Sequence, residues 1–151
     1  MQLITSLASK LQADFPAYTF TASDTFYWSS DQAQIAFDSN SEDTAALLHE
    51  LSHAVLAHAE YQKDITLIEM ERDAWHYATS QLAPRYNVTI TDSMVQDALD
   101  TYRDWLHARS TCPQCKATGV QTKADQYKCI ACSTKWRVNE ARVCALRRYR
   151  I

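Results

Sequence analysis

Apolar side chains return every three or four residues in four separate stretches of the chain, which is the spacing of one face of an α-helix. The stretches comprise residues 2–13, 43–60, 64–82 and 92–108. Phe15-Pro16 follows the first stretch and ends a helix there, and Asp43 or Ser41 can cap the start of the second. The pattern therefore predicts four helices.

Between the first two predicted helices, the hydrophobic pattern changes to that of β-strands. Residues 18–21 and 25–28 are rich in aromatic and β-branched side chains, and residues 33–37 alternate in polarity. The polar residues 29–32 predict a hairpin turn between the last two runs. We therefore expect a small antiparallel sheet that leads directly into the second helix, and an α+β fold.

The second predicted helix contains the sequence His49-Glu50-Leu51-Ser52-His53. Residues four apart lie one turn above each other on a helix, so the two imidazoles can point to one position. Two histidines and one further ligand hold a catalytic Zn²⁺ ion and leave a coordination position open. A neighbouring carboxylate, here Glu50, can then act as general base and general acid. The alternative is two structural histidines with this spacing by chance.

The third predicted helix offers a candidate for the further ligand. At about 100° per residue, one narrow apolar stripe carries Ile68, Glu71, Trp75, Ala78 and Leu82. A glutamate on a buried stripe is costly unless its charge is paired or bound to a metal. This argument favours Glu71 as the third ligand. Asp73 and His76 are the alternatives, and a partly exposed Glu71 would be an ordinary surface residue.

His58 lies five residues after His53, which is not the spacing of the third histidine in the longer motif H-E-x-x-H-x-x-G-x-x-H. The chain also has no glycine at the corresponding position. We therefore expect His58 to lie at the surface or beside a ligand rather than on the metal.

These residues together resemble the ImmA/IrrE-type metallopeptidases and other minimal gluzincins. The resemblance covers residues ~33–84 and rests on H-E-x-x-H and on an E-x-x-A-x-x-x-A segment that starts at Glu71 and ends near L-x-P. It implies a zincin-like domain in which His49, His53 and Glu71 bind zinc and Glu50 is the general base and acid. The residue that stabilises the oxyanion in such enzymes has no clear counterpart here. His76 and Tyr77 are the candidates.

Four of the five cysteines form two C-x-x-C pairs separated by 13 residues. They are Cys112, Cys115, Cys129 and Cys132. Each pair can present two thiolates to one tetrahedral Zn²⁺ ion, with the intervening segment folded as a hairpin. Redox-active pairs are the alternative, but neither pair lies in a βαβ context. The spacing predicts a structural zinc ribbon over residues 109–138 that depends on its metal for folding, with Tyr127, Trp136 and Val138 as its apolar packing.

The distribution of charge separates the ribbon from the rest of the chain. Residues 1–108 carry 5 basic and 16 acidic side chains, whereas residues 109–151 carry 10 basic and 2 acidic ones. Two modules of opposite charge are the simplest explanation. We therefore expect a metallopeptidase domain at 1–108, the ribbon at 109–138, and a basic, helical tail at 139–151.

The expected tail contains Arg142 and the fifth cysteine, Cys144. An unpaired cysteine of this kind is usually a small buried apolar residue. An alternative hypothesis is that the tail folds over the acidic module and makes the enzyme latent, with Cys144 reaching the metal.

Three functional hypotheses follow from these motifs. The first is a zinc-dependent endopeptidase that acts on protein or peptide substrates and holds one catalytic and one structural zinc ion. The second is a DNA-associated protease, because H-E-x-x-H followed by a C-terminal ribbon also resembles the SprT-like proteases. Its phosphate contacts would come from Lys116, Lys123, Lys128, Lys135 and Arg137. The third is a non-catalytic adaptor or regulator whose peptidase module is degenerate.

Other features of the sequence bear on location. Cysteines arranged as metal ligands favour a reducing compartment. The chain has no apolar run of 18 residues and no recognisable signal peptide. We therefore expect a cytoplasmic protein with no membrane partner.

Overall fold

The computed structural model describes residues 3–140 and 146–151 and has an α+β fold with small sheets. The elements are α1 Ile4–Asp14, β1 Thr19–Ser23, β2 Tyr27–Ser29, β3 Gln34–Asp38, α2 Thr44–Val55, α3 Asp64–Tyr77, a π-helical turn Ala78–Leu82, α4 Ala83–Tyr86, α5 Asp92–Ser110, β4 Gly119–Lys123, β5 Gln126–Cys129, β6 Lys135–Val138 and β7 Arg148–Arg150. The four predicted helical stretches are confirmed, with α3, the π turn and α4 following one another directly.

The chain divides into two compact units. The first comprises Met1–Glu60 and Met70–Val95, and the second comprises Tyr61–Glu69 and Gln96–Ile151. Two of the three divisions fall within α3 and α5, and the third lies between residues 60 and 61. The boundaries expected from the sequence were at residues 108 and 138. Most of α5 therefore belongs to the unit that holds the four cysteines of the ribbon.

The first unit contains a three-stranded sheet with the strand order β1-β3-β2. Strand β3 pairs antiparallel with β2, as the predicted hairpin requires, but it pairs parallel with β1. The prediction of a purely antiparallel sheet is therefore wrong. The chain reverses direction twice between β1 and β3, so these two strands run the same way. Strand β3 is central because it is the most apolar of the three, with Ile35, Ala36 and Phe37 buried.

The core of the first unit lies between α1, β3 and α2. Helix α1 contributes Leu7 and Leu11, and α2 contributes Leu47, Leu48 and Leu51; all five are fully buried. Leu11 lies four positions after Leu7, and Leu51 lies four and three positions after Leu47 and Leu48, so each helix buries one face. This packing fixes the rotation of α2 about its own axis.

Helix α2 is capped by Asp43, whose carboxylate accepts a hydrogen bond from the backbone N–H of Ala46 at 2.9 Å. The helix ends at its twelfth residue, before the predicted end at residue 60. Ala57 adopts the left-handed conformation with φ 55°, and the His58 N–H donates to the carbonyl of His53 at 2.9 Å. This arrangement closes the C-terminus of the helix and places His58 beyond α2.

The apolar stripe predicted on the third helix is confirmed. Glu71, Trp75, Ala78 and Leu82 are buried, and Ile68 is half-buried. The residues on the opposite side of the helix are exposed, namely Glu69, Arg72, Asp73 and His76. Helical structure extends beyond the predicted end at residue 82 because Pro84 lies in the first turn of α4, where no N–H is needed.

Helix α5 is buried less than its sequence pattern predicts. Leu99 is buried, but Met94 is 39% exposed. Further apolar residues of the helix are only half-buried, namely Val95, Ala98, Tyr102, Trp105 and Leu106. The hydroxyl of Thr91 accepts from the Met94 N–H at 3.1 Å and caps the start. Among the described residues, no helix combines the length and apolar character needed to cross a membrane.

The second unit contains a four-stranded antiparallel sheet in the order β4-β5-β6-β7. Tyr127, Trp136 and Val138 form its core together with Cys112 and Cys129, which confirms the predicted apolar packing of the ribbon. Trp136 and the two cysteines are fully buried. The core is small, so few apolar side chains stabilise this unit.

The prediction of a helical C-terminal tail is wrong at Arg148–Arg150, which form β7 and pair with β6. A further strand satisfies the backbone N–H and carbonyl groups that an edge at β6 would expose. The Arg148 guanidinium also donates to the Thr111 carbonyl at 2.7 Å. Arg142 and Cys144, on which the latency hypothesis depends, lie outside the described residues.

Gly119, the single glycine of the chain, lies in β4 against Trp136. A Cβ atom at this position would be 2.4 Å from Cη2 of Trp136 and 2.9 Å from the carbonyl oxygen of Lys128. Both distances are too short for any side chain. The absence of a side chain at Gly119 therefore allows Trp136 to reach its buried position.

A buried ion pair stabilises the second unit. Arg109 Nε donates to Asp64 Oδ2 at 2.8 Å, and the two side chains are 6% and 2% exposed. The Tyr127 hydroxyl donates to the same oxygen, and the Arg109 carbonyl accepts from Trp136 Nε1 at 2.9 Å. Burial and the hydrogen bond to Asp64 raise the pKa of Tyr127. These contacts connect the end of α5 and the start of α3 to the ribbon core.

We expect Arg109→Met to reduce the free energy of unfolding of the second unit by about 3–5 kcal/mol, because it leaves the Asp64 carboxylate buried without its cation. Arg103→Met is the matched control on α5. Its pair with Asp100 is exposed at 49% and 61%, so the expected loss is about 0–1 kcal/mol. Denaturant unfolding followed by tryptophan fluorescence measures both, and equal losses would contradict the assigned role of the buried pair.

Candidate metal centres

Three ligand atoms from α2 and α3 converge in the first unit. His49 Nε2 lies 2.8 Å from Glu71 Oε2, and His53 Nε2 lies 3.1 Å from Glu71 Oε1. The two Nε2 atoms are 3.1 Å apart. All three residues are buried, with exposed fractions of 5–7%. The structure therefore brings together the two histidines and the glutamate that the sequence analysis selected.

This set of donors fits a metal ion. Three atoms with lone pairs at these distances repel one another unless protons or a cation lie between them. Bond lengths of about 2.0–2.2 Å around a tetrahedral zinc ion separate its nitrogen and oxygen ligands by roughly 3.3 Å. The observed separations of 2.8–3.1 Å are slightly shorter, so small side-chain movements would admit the ion.

The ionisation of Glu71 suits the role of a ligand. Burial alone would raise the pKa of its carboxyl group, but the hydrogen bonds from His49 and His53 outweigh this effect and hold the pKa well below its ordinary value. A ligating carboxylate must be deprotonated. Glu71 is therefore held in the form that binds a cation.

Trp75 orients one of the two imidazoles. Its ring stacks on that of His49 with a centroid distance of 4.1 Å and an interplanar angle of 19°. Trp75 lies one turn after Glu71 on α3, so one face of the helix supplies both the carboxylate and the aromatic surface. His49 Nδ1 is buried and has no hydrogen-bond partner among the described residues. Stacking therefore holds this ring.

His58 contacts the outer nitrogen of the other imidazole. His58 Nδ1 lies 2.9 Å from His53 Nδ1, and the two rings meet at 62°. The His58 carbonyl accepts from Trp28 Nε1 at 2.8 Å. Burial and His53 lower the pKa of His58, against the opposing effects of Asp73 and Glu71. His58 thus lies beside His53, a candidate ligand.

The remaining candidates from the sequence lie elsewhere on the two helices. Among the described residues, the converging ligand atoms include neither Asp73 nor His76, and both of these residues are exposed. Tyr77 is half-buried and packs against the hydrophobic core of the first unit. Glu50 follows His49 directly on α2 and is half-buried.

The four cysteines of the second unit also converge. Cys112 Sγ lies 3.7 Å from Cys132 Sγ, and Cys115 Sγ lies 3.5 Å from Cys129 Sγ. All four sulfur atoms lie within 4.8 Å of one another. Zinc–sulfur bonds of about 2.3 Å place tetrahedral thiolates roughly 3.8 Å apart. The tetrad therefore matches the dimensions of a four-thiolate metal site.

Hydrogen-bonding groups lie beside three of the four sulfur atoms. The backbone N–H groups of Gln114 and Ala131 donate to Cys112 and Cys129 at 3.4 and 3.3 Å. The Thr134 hydroxyl lies 3.1 Å from Cys132 Sγ. Hydrogen bonds from the side chain and backbone of Thr134 lower the pKa of Cys132 to about 6. Thiolates are the form that binds metal.

The two cysteine turns have the same backbone geometry. Lys116 follows Cys115 with φ 68°, and Ser133 follows Cys132 with φ 64°. In each turn the N–H of this left-handed residue donates to the carbonyl of the first cysteine of its pair, at 3.0 and 3.1 Å. The repetition of one turn in both pairs is expected of two knuckles that hold a common ion.

Sequence analysis missed three side chains that organise these sites. Trp75 could have been found, because it lies on the predicted stripe one turn after Glu71. Arg109 carried a weaker signal as a cation directly before the first cysteine pair. Trp28 carried none, since its hydrogen bond to the His58 carbonyl joins residues 30 positions apart.

Comparison with known protein families, with curated proteins and with solved structures found no match. The likeness to ImmA/IrrE-type metallopeptidases therefore remains a resemblance between motifs. The function proposed below is based on two groups of described side chains that could hold a metal ion.

Because residues 3–140 and 146–151 contain two such groups, we expect two zinc ions per chain in the purified protein. His49→Ala should remove one ion and leave the second unit folded. Cys112→Ser should remove the other and unfold the ribbon, because a small ribbon depends on its metal. Elemental analysis and thermal unfolding measure these effects.

His107→Ala is the matched control for the metal measurement, because His107 is exposed near the end of α5 and should retain both ions. A single ion per chain that His49→Ala leaves unchanged would contradict a metal site at His49, His53 and Glu71.

Proposed function

We propose that this chain is a zinc metallopeptidase that hydrolyses peptide bonds in protein or peptide substrates. One observation carries the proposal: His49, His53 and Glu71 present three buried ligand atoms from two helices. A catalytic zinc ion uses three protein ligands and keeps a position open, whereas a structural zinc ion uses four. The cysteine tetrad provides four ligands, so we assign it the structural role.

When bound at the first group, zinc supplies a Lewis acid and lowers the pKa of a coordinated water. The protein residues position the ion and move the proton. Glu71 provides the negative charge that two neutral imidazoles lack. The hydrophobic core behind α2 holds His49 and His53 on one side of that helix.

Glu50 is assigned the proton transfer. It follows His49 on α2, and one helix position is a rotation of about 100°, so Glu50 flanks the side that carries both imidazoles. It is half-buried, whereas His49 and His53 are buried. In this role its carboxylate takes a proton from the attacking water and delivers it to the leaving amine.

The free edge of β2 is assigned to the substrate. This strand lies at one side of the sheet, and the indole of its Trp28 donates to the carbonyl of His58, whose ring contacts His53. An extended peptide can pair with an open strand edge through its backbone groups. Tyr27 in this strand is 43% exposed and available for contact with a substrate side chain.

We expect Glu50→Gln to retain two zinc ions but to lower the rate of casein cleavage by about 10²–10⁴-fold, because the amide cannot accept the proton. Glu42→Gln, an exposed change before α2, is the control and should leave the rate unchanged. A rate for Glu50→Gln equal to that of the wild type would exclude the assigned mechanism.

A second candidate function, association with nucleic acid, is favoured by the register of the second sheet. Val120 pairs with Lys128, which pairs with Lys135. Gln126 pairs with Arg137 and, beyond a register shift in β4, with Lys123. Residues that pair directly point to the same face of a sheet. Four cations therefore share one face of the sheet, namely Lys123, Lys128, Lys135 and Arg137. The opposite face buries Tyr127 and Trp136.

This cationic face has features that suit a polyanion. Like charges directly opposite each other, as at Lys128 and Lys135, destabilise a sheet, and β4–β7 contain no acidic residue. The Arg137 guanidinium lies 5.2 Å from the centre of the Tyr149 ring, and Tyr149 is 41% exposed. Cations beside an exposed aromatic ring are typical of surfaces that bind single-stranded nucleic acid.

We expect the full chain to bind a labelled oligothymidylate in a salt-dependent manner. Lys128→Ala with Lys135→Ala should reduce the slope of log K against log salt by roughly 0.7 for each lysine removed. Lys10→Ala, exposed on α1, is the control. Fluorescence anisotropy measures the affinities, and undetectable binding at low salt would exclude this candidate while leaving the peptidase proposal intact.

A further inference from the structure

Both ring nitrogens of His53 are in contact with other side chains. Its Nε2 lies 3.1 Å from His49 Nε2 and 3.1 Å from Glu71 Oε1. Its Nδ1 lies 2.9 Å from His58 Nδ1. His53 therefore connects the converging ligand atoms to a third histidine.

The contact between Nδ1 of His53 and Nδ1 of His58 requires a proton on one of these two nitrogens. Two nitrogens 2.9 Å apart form a hydrogen bond when one of them carries a proton and the other offers a lone pair. A neutral imidazole has one N–H group and one acceptor nitrogen. If the Nε2 lone pair of His53 faces a metal ion, its proton is on Nδ1, and Nδ1 of His58 is the acceptor.

We infer that His58 is a positioning residue that accepts the Nδ1–H of His53 and so leaves the Nε2 lone pair of His53 free to bind a metal ion. This inference rests on the metal site of the proposed function. A ligating histidine commonly donates its second N–H to an acceptor that fixes both tautomer and ring orientation. Here the acceptor is another imidazole, supplied five residues further along the chain.

The backbone around His58 is fixed on both sides, which allows its ring to act in this way. Its N–H donates to the His53 carbonyl at 2.9 Å, and its carbonyl accepts from Trp28 Nε1 at 2.8 Å. Ala57, with φ 55°, turns the chain between them. The helix end, the left-handed residue and the β2 tryptophan therefore place the His58 ring against His53.

The two predicted ligands differ in this respect. His49 Nδ1 is buried without a hydrogen-bond partner among the described residues, and its ring stacks on Trp75. Packing can orient that ring, but it does not select a tautomer. Of His49 and His53, only His53 has an acceptor among the described residues that can select its tautomer.

Two substitutions test the inference. His58→Leu removes the acceptor, and His58→Asn replaces Nδ1 by an Oδ1 atom that can accept the same hydrogen bond. The measurement is zinc affinity by chelator competition, with His49→Ala defining the contribution of the cysteine site alone. We expect His58→Leu to weaken zinc binding at the first site by about 10–100-fold and His58→Asn to remain close to the wild type.

Equal losses in the two variants would show that the imidazole itself is required, and unchanged affinity in His58→Leu would show that the contact has no such role. Either result overturns the inference. If the wild type binds zinc only at the cysteines, both the inference and the proposed metal site at His49, His53 and Glu71 are refuted. The two variant results refute only the role of His58, so the two failures can be distinguished.

A direct readout does not depend on the folding of any variant. Long-range nitrogen–proton correlation spectra of the zinc-loaded wild type, labelled with ¹⁵N, report which ring nitrogen of each histidine carries a proton. We expect the proton of His53 on Nδ1 and that of His58 on Nε2. A proton on Nδ1 of His58 would overturn the inference.

Discussion

The convergence of one buried carboxylate with two buried imidazoles is the constraint on which the first unit depends. Burying a charged group costs several kcal/mol unless it is paired, and Glu71 lies on the same stripe as Trp75 and Ala78. The two imidazoles offset this cost only if α2 places both of them within reach of the Glu71 carboxylate. The leucines of α2 that pack on α1 and β3 fix that orientation. The hydrophobic core and the polar group are therefore parts of one arrangement.

The second unit meets a different difficulty, because its apolar core is too small to support four strands. Two kinds of polar contact compensate for this. The four sulfur atoms lie close enough together for one ion to hold the two cysteine turns, and the Asp64–Arg109 pair holds helical segments to the ribbon core. Such contacts stabilise a fold only when complete, since each partner is costly when left alone. The unit is therefore expected to be sensitive to chelators.

Much of the candidate site was readable from the sequence, because each step relied on short spacings. Four residues separate His49 from His53, and helical periodicity placed Glu71 on the buried side. The parallel pairing of β1 with β3 was not readable, since it depends on which strand becomes central. The strand at Arg148–Arg150 was not readable either. Its residues show no apolar alternation, and they form a strand because they pair with the edge of β6. Contacts between distant residues, such as that of Trp28 with His58, leave no local pattern.

The left-handed residues of the two cysteine turns have a consequence for how the ribbon tolerates sequence variation. Lys116 and Ser133 occupy a conformation that costs roughly 1–2 kcal/mol for residues with a side chain, whereas the chain's single glycine is at Gly119. Glycine at either turn would relieve that strain, and valine or isoleucine would increase it. Natural variation at these two positions should thus favour glycine, asparagine and residues without a branch at Cβ.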